Sequence, residues 1–335
     1  MKVLIVRYSS MGDIILTTPV VRCLKKAEGL NVELHYTTKK AYAGIMEANP
    51  YVDMVHVFDD DFGDLIRRLW REQFDLIVDL HHNIRSLRTR LSLSKSSKKF
   101  RKLNVQKWLL TALKINRLPD MHIVDRYLET VQHLGVLNDG AGLDFFIPEN
   151  EQQFPDSIPG SFRKAYIAFA IGGKHATKRL PNDKIIEICL GLHLPVVLLG
   201  DANDRQNGDA IYEACPDRVF NACGLLSLNQ SATIIKMAKL VITHDTGLMH
   251  VAAAFKKRVI SIWGNTIPAF GMTPYMPGHE HLSTIVQIEE LPCRPCSKIG
   301  YDKCPKTHFD CMQKINAGQI IELANGGGGI KGLGV

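Results

Sequence analysis

The chain has 335 residues, 45% of them apolar and 22% charged, which is the balance of a globular protein long enough for two domains of about 150 residues. No apolar run approaches the roughly 18 residues that span a bilayer, and the opening run at 3–6 is cut by Arg7, so neither a spanning helix nor a signal peptide is expected and a cytoplasmic address is. The net charge of +7 leaves nucleic acid, a membrane surface or an acidic small substrate as partners.

Strands and helices alternate from the start. Apolar runs at 3–6, 32–36, 54–58 and 76–80 read as buried parallel strands, with helical patterns at 14–26, 41–48 and 62–73 between them. Pro19 falls inside the first helical pattern, which therefore starts late or kinks. Basic residues then crowd the stretch from Arg85 to Lys107, which is either a solvated surface or a patch for phosphates on an acceptor or a membrane face. Only Phe100 and Trp108 are there to stack on bases, so nucleic acid is disfavoured. An amphipathic pattern at 123–134 ends at Gly135, and a turn-rich stretch at 138–160 marks the division of the chain. The alternation restarts beyond it, with strands at 166–171, 195–199, 240–243 and 258–263 and helices at 183–191, 228–238 and 248–254. Another helix is expected near 311–323. Such alternation implies right-handed crossovers and two doubly wound α/β sheets. The expected domains are 1–155 and 156–324, followed by a disordered glycine-rich tail at 325–335.

Two strand-to-helix junctions stand out, Arg7-Tyr8-Ser9-Ser10-Met11-Gly12-Asp13 and His244-Asp245-Thr246-Gly247-Leu248-Met249-His250. Each places free N–H groups and an acidic side chain at the C-terminal edge of a strand, where open α/β sheets bind ligands. One junction per domain suggests two sheets facing one ligand across a cleft. Asp13 fits either a helix cap or a general base, and Gly12 permits close approach to the backbone. The Thr246 and Gly247 N–H groups suit an anion. Asp245 suits a sugar hydroxyl or the orientation of a neighbour, and His250 is either a ligand donor or a structural histidine. Gly172 and Gly173, after the first strand of the second domain, again suit a phosphate.

These blocks, together with Cys293-x-x-Cys296, Cys304 and Cys311-Met312 near the end, resemble the family 9 glycosyltransferases, the lipopolysaccharide heptosyltransferases. The resemblance spans nearly the whole chain. It implies the GT-B architecture of two Rossmann-like domains, the first holding mainly the acceptor and the second a nucleotide sugar. The implied reaction is an inverting transfer of heptose from ADP-heptose to a core sugar of a phosphorylated glycolipid, without a cofactor. Asp13 is then the base. Gly12, Gly173, Lys178, Leu226, Asp245, Thr246, Gly247 and His250 are the donor set, with Lys178 on phosphate and Leu226 against adenine. Ser10, His81, Asn83 and Arg85 form the acceptor set. His81-His82-Asn83 stand where relatives more often carry glutamine and glycine, so a specialised acceptor side is expected, and peripheral contact with the inner membrane fits a lipid-linked acceptor.

Asp59-Asp60-Asp61 has the Asp-x-Asp form of metal-dependent transferases but lies between a strand and a helix, so a loop and helix cap are expected there and no catalytic metal. Among the four late cysteines only the first pair has zinc-like spacing, which leaves buried thiols as the default and structural zinc as the alternative. A nicotinamide oxidoreductase would need a Gly-x-Gly-x-x-Gly after a predicted strand, and none is there. A non-catalytic nucleotide-sugar-binding protein would keep the second junction without needing Asp13.

Overall fold

A computed structural model describes residues 1–326, so positions 327–335 of the expected tail lie outside the described residues. The chain divides into two compact units, one built from 1–104, 118–146 and 271–278 and the other from 105–117, 147–270 and 279 onward.

The first unit opens with β1 (Lys2–Val6), α1 (Met11–Ile15), α2 (Thr18–Lys26), β2 (Glu33–Lys39), α3 (Ala43–Glu47) and β3 (Met54–Phe58). It continues through α4 (Phe62–Arg71), β4 (Leu76–Asp79), α5 (Ile84–Leu93) and β5 (Ser97–Lys99). After α6 (Asn104–Leu113), most of which belongs to the other unit, α7 (Ile123–Leu128) completes the helices of the first. Its five strands are all parallel in the order β3-β2-β1-β4-β5. β1 is the central strand and its Val3–Val6 segment is fully buried, as expected of a strand covered on both faces. Pro19 sits in the first turn of α2, and the expected single helix is accordingly broken between Ile15 and Thr18. Asp61 caps α4 by accepting from the Asp64 N–H at 3.0 Å, the role expected for the Asp-x-Asp stretch. Gly135 ends its segment in the left-handed region at φ 78°, although the segment itself is α7 followed by a separate 3-10 turn.

The second unit runs β6 (Ile167–Ala170), α8 (Asn182–Gly191), β7 (Val196–Leu199), α9 (Arg205–Ala214), β8 (Val219–Asn221) and α10 (Leu228–Met237). It then runs β9 (Leu240–His244), α11 (Gly247–Ala254), β10 (Val259–Trp263), β11 (Ser283–Gln287), α12 (Asp310–Gln313) and α13 (Ala317–Ala324). All six strands are parallel, in the order β11-β10-β9-β6-β7-β8. Both units are therefore doubly wound α/β sheets, as the alternation implied. Asn325 is ordered rather than part of a loose tail: it caps α13, and its side chain donates to Gly191 O and accepts from the His193 N–H, both at 2.9 Å.

A buried arginine ties the first unit together. Arg22 on α2 is bidentate to Asp139 at 2.7 and 2.8 Å, donates to Gly142 O at 2.8 Å and also pairs with Asp144. Hydrogen bonding from Arg22 brings Asp139 down to about 2. Removing the guanidinium leaves two carboxylates without their cation, Asp139 keeping the Ala141 N–H at 3.0 Å. Arg22→Met is expected to cost about 3 kcal/mol in urea unfolding at neutral pH, the low end for a broken buried pair because Asp139 keeps water contact. Because Asp139 titrates lower when folded than when unfolded, its contribution is present above about pH 4 and is lost as pH falls toward 2. The variant's stability should fall less steeply than the parent's over that window.

Candidate active site

In a doubly wound sheet the crevice lies at the strand C-termini where chain order reverses. In the first sheet that point is between β1 and β4, and in the second between β6 and β9. The residues singled out from the sequence fall largely at these two points.

At the first, β1 delivers Arg7 into a buried position. Its guanidinium donates to Ser9 O at 2.7 Å, to Leu80 O, and to the Tyr127 hydroxyl at 3.1 Å, and it pairs with Asp13 Oδ2 at 2.6 Å. Asp13 stands in the first turn of α1, where its Oδ2 also accepts from the Ser10 hydroxyl at 2.8 Å and the Ser10 N–H at 3.3 Å. Capping and ion pairing thus coexist on one carboxylate. Burial opposes its ionisation, but the Arg7 charge and the Ser10 hydrogen bonds outweigh burial and hold Asp13 below the usual carboxylate range. The side chain keeps 20% exposure, so it is reachable. Gly12, beside it in α1, is buried.

At the end of β4, buried Asp79 accepts from the N–H groups of His81 and His82, from the Ser86 hydroxyl at 2.8 Å and from Arg90 Nε at 3.0 Å. It shapes the turn that presents His81. The His81 ring lies edge-on to Tyr8, with centroids 5.7 Å apart, and the Arg85 guanidinium sits 5.9 Å over the same Tyr8 ring. Burial, reinforced by the charges of Arg7 and Lys102, pushes His81 down to about 3, so it is neutral near pH 7. The structure therefore gathers Ser10, Asp13, His81 and Arg85 at one sheet edge. Asn83 instead caps α5, accepting from the Ser86 N–H at 2.9 Å.

At the second point, Lys178 follows β6 and pairs with Asp245 Oδ2 at 2.6 Å, while also donating to Asp245 O. Thr266 donates to the same carboxylate at 2.8 Å. Thr246 is the N-cap of α11 with its backbone extended, and Gly247 is the first helical residue. Gly173 comes so close to Thr246 that a Cβ there would stand 3.5 Å from the Thr246 methyl. Lys178, Asp245, Thr246 and Gly173 thus share one place, next to a helix start whose dipole favours an anion. His250, in the first turns of α11, is 2% exposed, and Leu226 lies after β8, two strands away from β6.

Sequence reasoning missed four contributors, Arg7, Asp79, Arg179 and Asp204. Arg179 bonds Gly173 O at 2.6 Å and reaches Asp204 at 3.4 Å, and a Cβ on Gly172 would meet Asp204 Oδ2 at 2.2 Å, so only glycine fits beside that buried carboxylate. The signal for Arg7 was its place at the end of an apolar strand, where a charge needs a partner.

The late cysteines are free thiols, with Cys311 buried and Cys293, Cys296 and Cys304 half-buried. Among the described residues the one grouping of three metal-ligand atoms is His35, His56 and Glu72, within 4.8 Å of one another. Lys2 Nζ already supplies positive charge there, 3.0 Å from Glu72 and 3.2 Å from Glu33, and the two imidazoles bond each other at 2.8 Å.

Two parallel doubly wound units, each with ligand-type groups at its switch point, make up a fold of the GT-B kind, which the solved structures below share. Residues 62–302, over two thirds of the chain, match the sequence model of glycosyltransferase family 9 (heptosyltransferase), and the chain belongs to that family of transferases. It is 24% identical over 248 residues to lipooligosaccharide heptosyltransferase 2 of Haemophilus influenzae, covering 69% of this chain and 71% of that one. Its fold is similar to that of E. coli ADP-heptose LPS heptosyltransferase II, with a TM-score of 0.73, 20% identity and coverage of 97% and 98%. It is also similar to E. coli heptosyltransferase WaaC solved with ADP, with a TM-score of 0.68, 19% identity and coverage of 98% and 100%. No helix among the described residues is long and apolar enough to cross a membrane.

Burial also holds His56 and His244 down to about 4. With His81, they stay neutral in the folded protein at pH values where the unfolded chain, titrating near 6.5, takes up protons. Stability should therefore be fully present above about pH 6.5 and fall as pH drops toward 4. Urea unfolding at pH 7.5 and 5 measures this, and NMR of the His81 ring should show no titration between those values.

Proposed function

We propose that this chain is an inverting glycosyltransferase that moves heptose from ADP-heptose to a sugar hydroxyl of a lipid-linked lipopolysaccharide core. The observation that carries the reading is the paired arrangement at the two switch points, an ionised carboxylate at one and a lysine beside a helix start at the other. Inversion at the anomeric carbon is one displacement, in which the acceptor oxygen forms a bond as the bond to the diphosphate breaks. In this reading Asp13 takes the acceptor proton, and Arg7 keeps it ionised and oriented. Ser10, His81 and Arg85 contact the acceptor. Neutral His81 offers a hydrogen bond without adding charge.

The diphosphate is held by Lys178 and the first N–H groups of α11, approached closely at Gly173 and Gly247. Asp245 holds Lys178 in place until the phosphates compete for it, His250 donates to the donor, Gly12 admits it near the backbone, and Leu226 packs against adenine. Support for the nucleotide comes from WaaC, solved with ADP, and support for the acceptor from the lipooligosaccharide heptosyltransferase relative. The reaction is proposed to need no metal, and the protein to work at the cytoplasmic side of the inner membrane.

Asp13→Asn is expected to lower turnover roughly 100-fold or more while ADP still raises the melting temperature as in the parent. Near-normal transfer by that variant would return Asp13 to a capping role. Because Lys178 and the α11 start provide the positive potential, transfer should persist in excess EDTA. Loss of activity restored by magnesium or manganese would contradict this account of the leaving group.

A further inference from the structure

α4 and α5 pack side by side in the first unit, and the outward side of this layer has an unusual make-up. On α5, Ile84, Leu87 and Leu91 recur at i, i+3 and i+7 and are exposed, Ile84 at 79% and Leu91 at 67%. They form a single aliphatic stripe in solvent. On α4 the outward positions are Arg67, Trp70 and Arg71, with Trp70 60% exposed. Of the six arginines on the two helices, Arg85 and Arg90 turn inward onto Tyr8 and Asp79, which leaves Arg67, Arg68, Arg71 and Arg88 on this side against Asp64, engaged by Arg67 at 3.4 Å and Arg68 at 2.9 Å, and the N-cap Asp61, 4.0 Å from Arg67. Arg88 lies 4.8 Å over the Phe62 ring, spanning α5 to α4, and Lys95 reaches Gln73 at 3.3 Å from the end of α5. Beyond them the edge strand β5 exposes Lys98 and Lys99.

Single exposed leucines are ordinary, but an aliphatic stripe beside an exposed tryptophan and a row of arginines is not what a solvated helix presents. Each component suits a different depth of a lipid interface. Aliphatic side chains enter the acyl boundary, tryptophan sits at the headgroups, and arginine stems lie along the apolar surface with their guanidinium groups on phosphate. The excess of positive charge selects an anionic surface. A protein groove for the stripe alone would not call for the arginines, and a nucleic acid would not call for the stripe.

We propose that the α4–α5 face docks this protein on an anionic phospholipid bilayer. The proposal rests on the glycosyl-transfer reading only for its purpose, since a glycolipid acceptor presents its sugars at such a surface. The test uses the full chain sedimented with sucrose-loaded vesicles, either phosphatidylethanolamine with phosphatidylglycerol or phosphatidylcholine alone. Parent protein should partition onto the anionic vesicles and not onto phosphatidylcholine. Ile84→Gln with Leu91→Gln, and separately Arg71→Gln with Arg88→Gln, should each weaken partition at least about tenfold. Only the arginine pair should flatten its dependence on salt. All four positions are on the surface, and unchanged circular dichroism and ADP-induced thermal shifts establish that the variants are folded. Absence of parental binding, equal binding to phosphatidylcholine, or unchanged partition in both double variants would overturn the proposal. A concentration-dependent dimer lost in the Ile84/Leu91 variant, without vesicle binding, would assign the face to a second copy of the chain. Vesicle binding without any response to ADP would leave the docking face standing and remove the transferase reading instead.

Discussion

The buried Arg7 guanidinium is the interaction on which the first sheet edge depends. A charge carried inside by a central strand has to be matched, and Arg7 is matched by two backbone carbonyls, a tyrosine hydroxyl and the Asp13 carboxylate. Those partners come from the β1–α1 turn, from α1, from just past β4 and from α7, so satisfying one side chain fixes four segments together. The second unit uses the opposite assignment. There the strand end supplies the carboxylate, Asp245, and the loop after β6 supplies the cation, Lys178. In the second unit the Lys178–Asp245 pair bridges the two strands at the switch point, whereas in the first the Arg7–Asp13 pair stays within the segment that follows β1 and the Arg7 bond to Leu80 O makes the link to β4.

The two pairs differ in consequence. Arg7 is buried beneath Asp13, so the carboxylate is the accessible member of its pair. Lys178 and Asp245 are comparably enclosed, and an incoming diphosphate would contend with Asp245 for the ammonium group. Such a contest lowers affinity for a bare anion, while a helix start beside the lysine offers N–H groups that no carboxylate already holds in that pair. In the proposed reading, donor binding is an exchange of partners rather than the filling of an open charge.

The sequence made the doubly wound class legible because central strands such as β1 and β9 are continuous apolar runs that end in small and acidic residues. Edge strands left no such trace. β5 is Ser-Lys-Lys, β8 is three residues, and β11 is only half-buried, so none carries a core signal. α5 and α6 were hidden for a related reason, since their arginines and lysines read as a basic stretch while their apolar residues are partly turned outward. α9, interrupted by Gly208, also lacked a clear pattern. In the site, residues adjacent to a recognisable junction were found, and those that act on it from another segment, Asp79, Arg179 and Asp204, were not. Spacing along the chain reports on local geometry, whereas partners for a buried charge are chosen across the fold.

An ion-paired base also constrains the order of events in the proposed displacement. A carboxylate held below its usual range by Arg7 is ionised at any working pH, but it is correspondingly a weaker proton acceptor. An ordinary sugar hydroxyl is far too weak an acid to give up its proton to such a group before reaction begins. Once bond formation to the anomeric carbon has advanced, that oxygen carries positive character and its proton becomes strongly acidic. Transfer to Asp13 is then downhill even though the base is weak. The Arg7 pair therefore fits a late proton transfer, coupled to departure of the diphosphate. On that account, catalysis owes more to positioning the acceptor and stabilising the leaving group than to the basicity of Asp13.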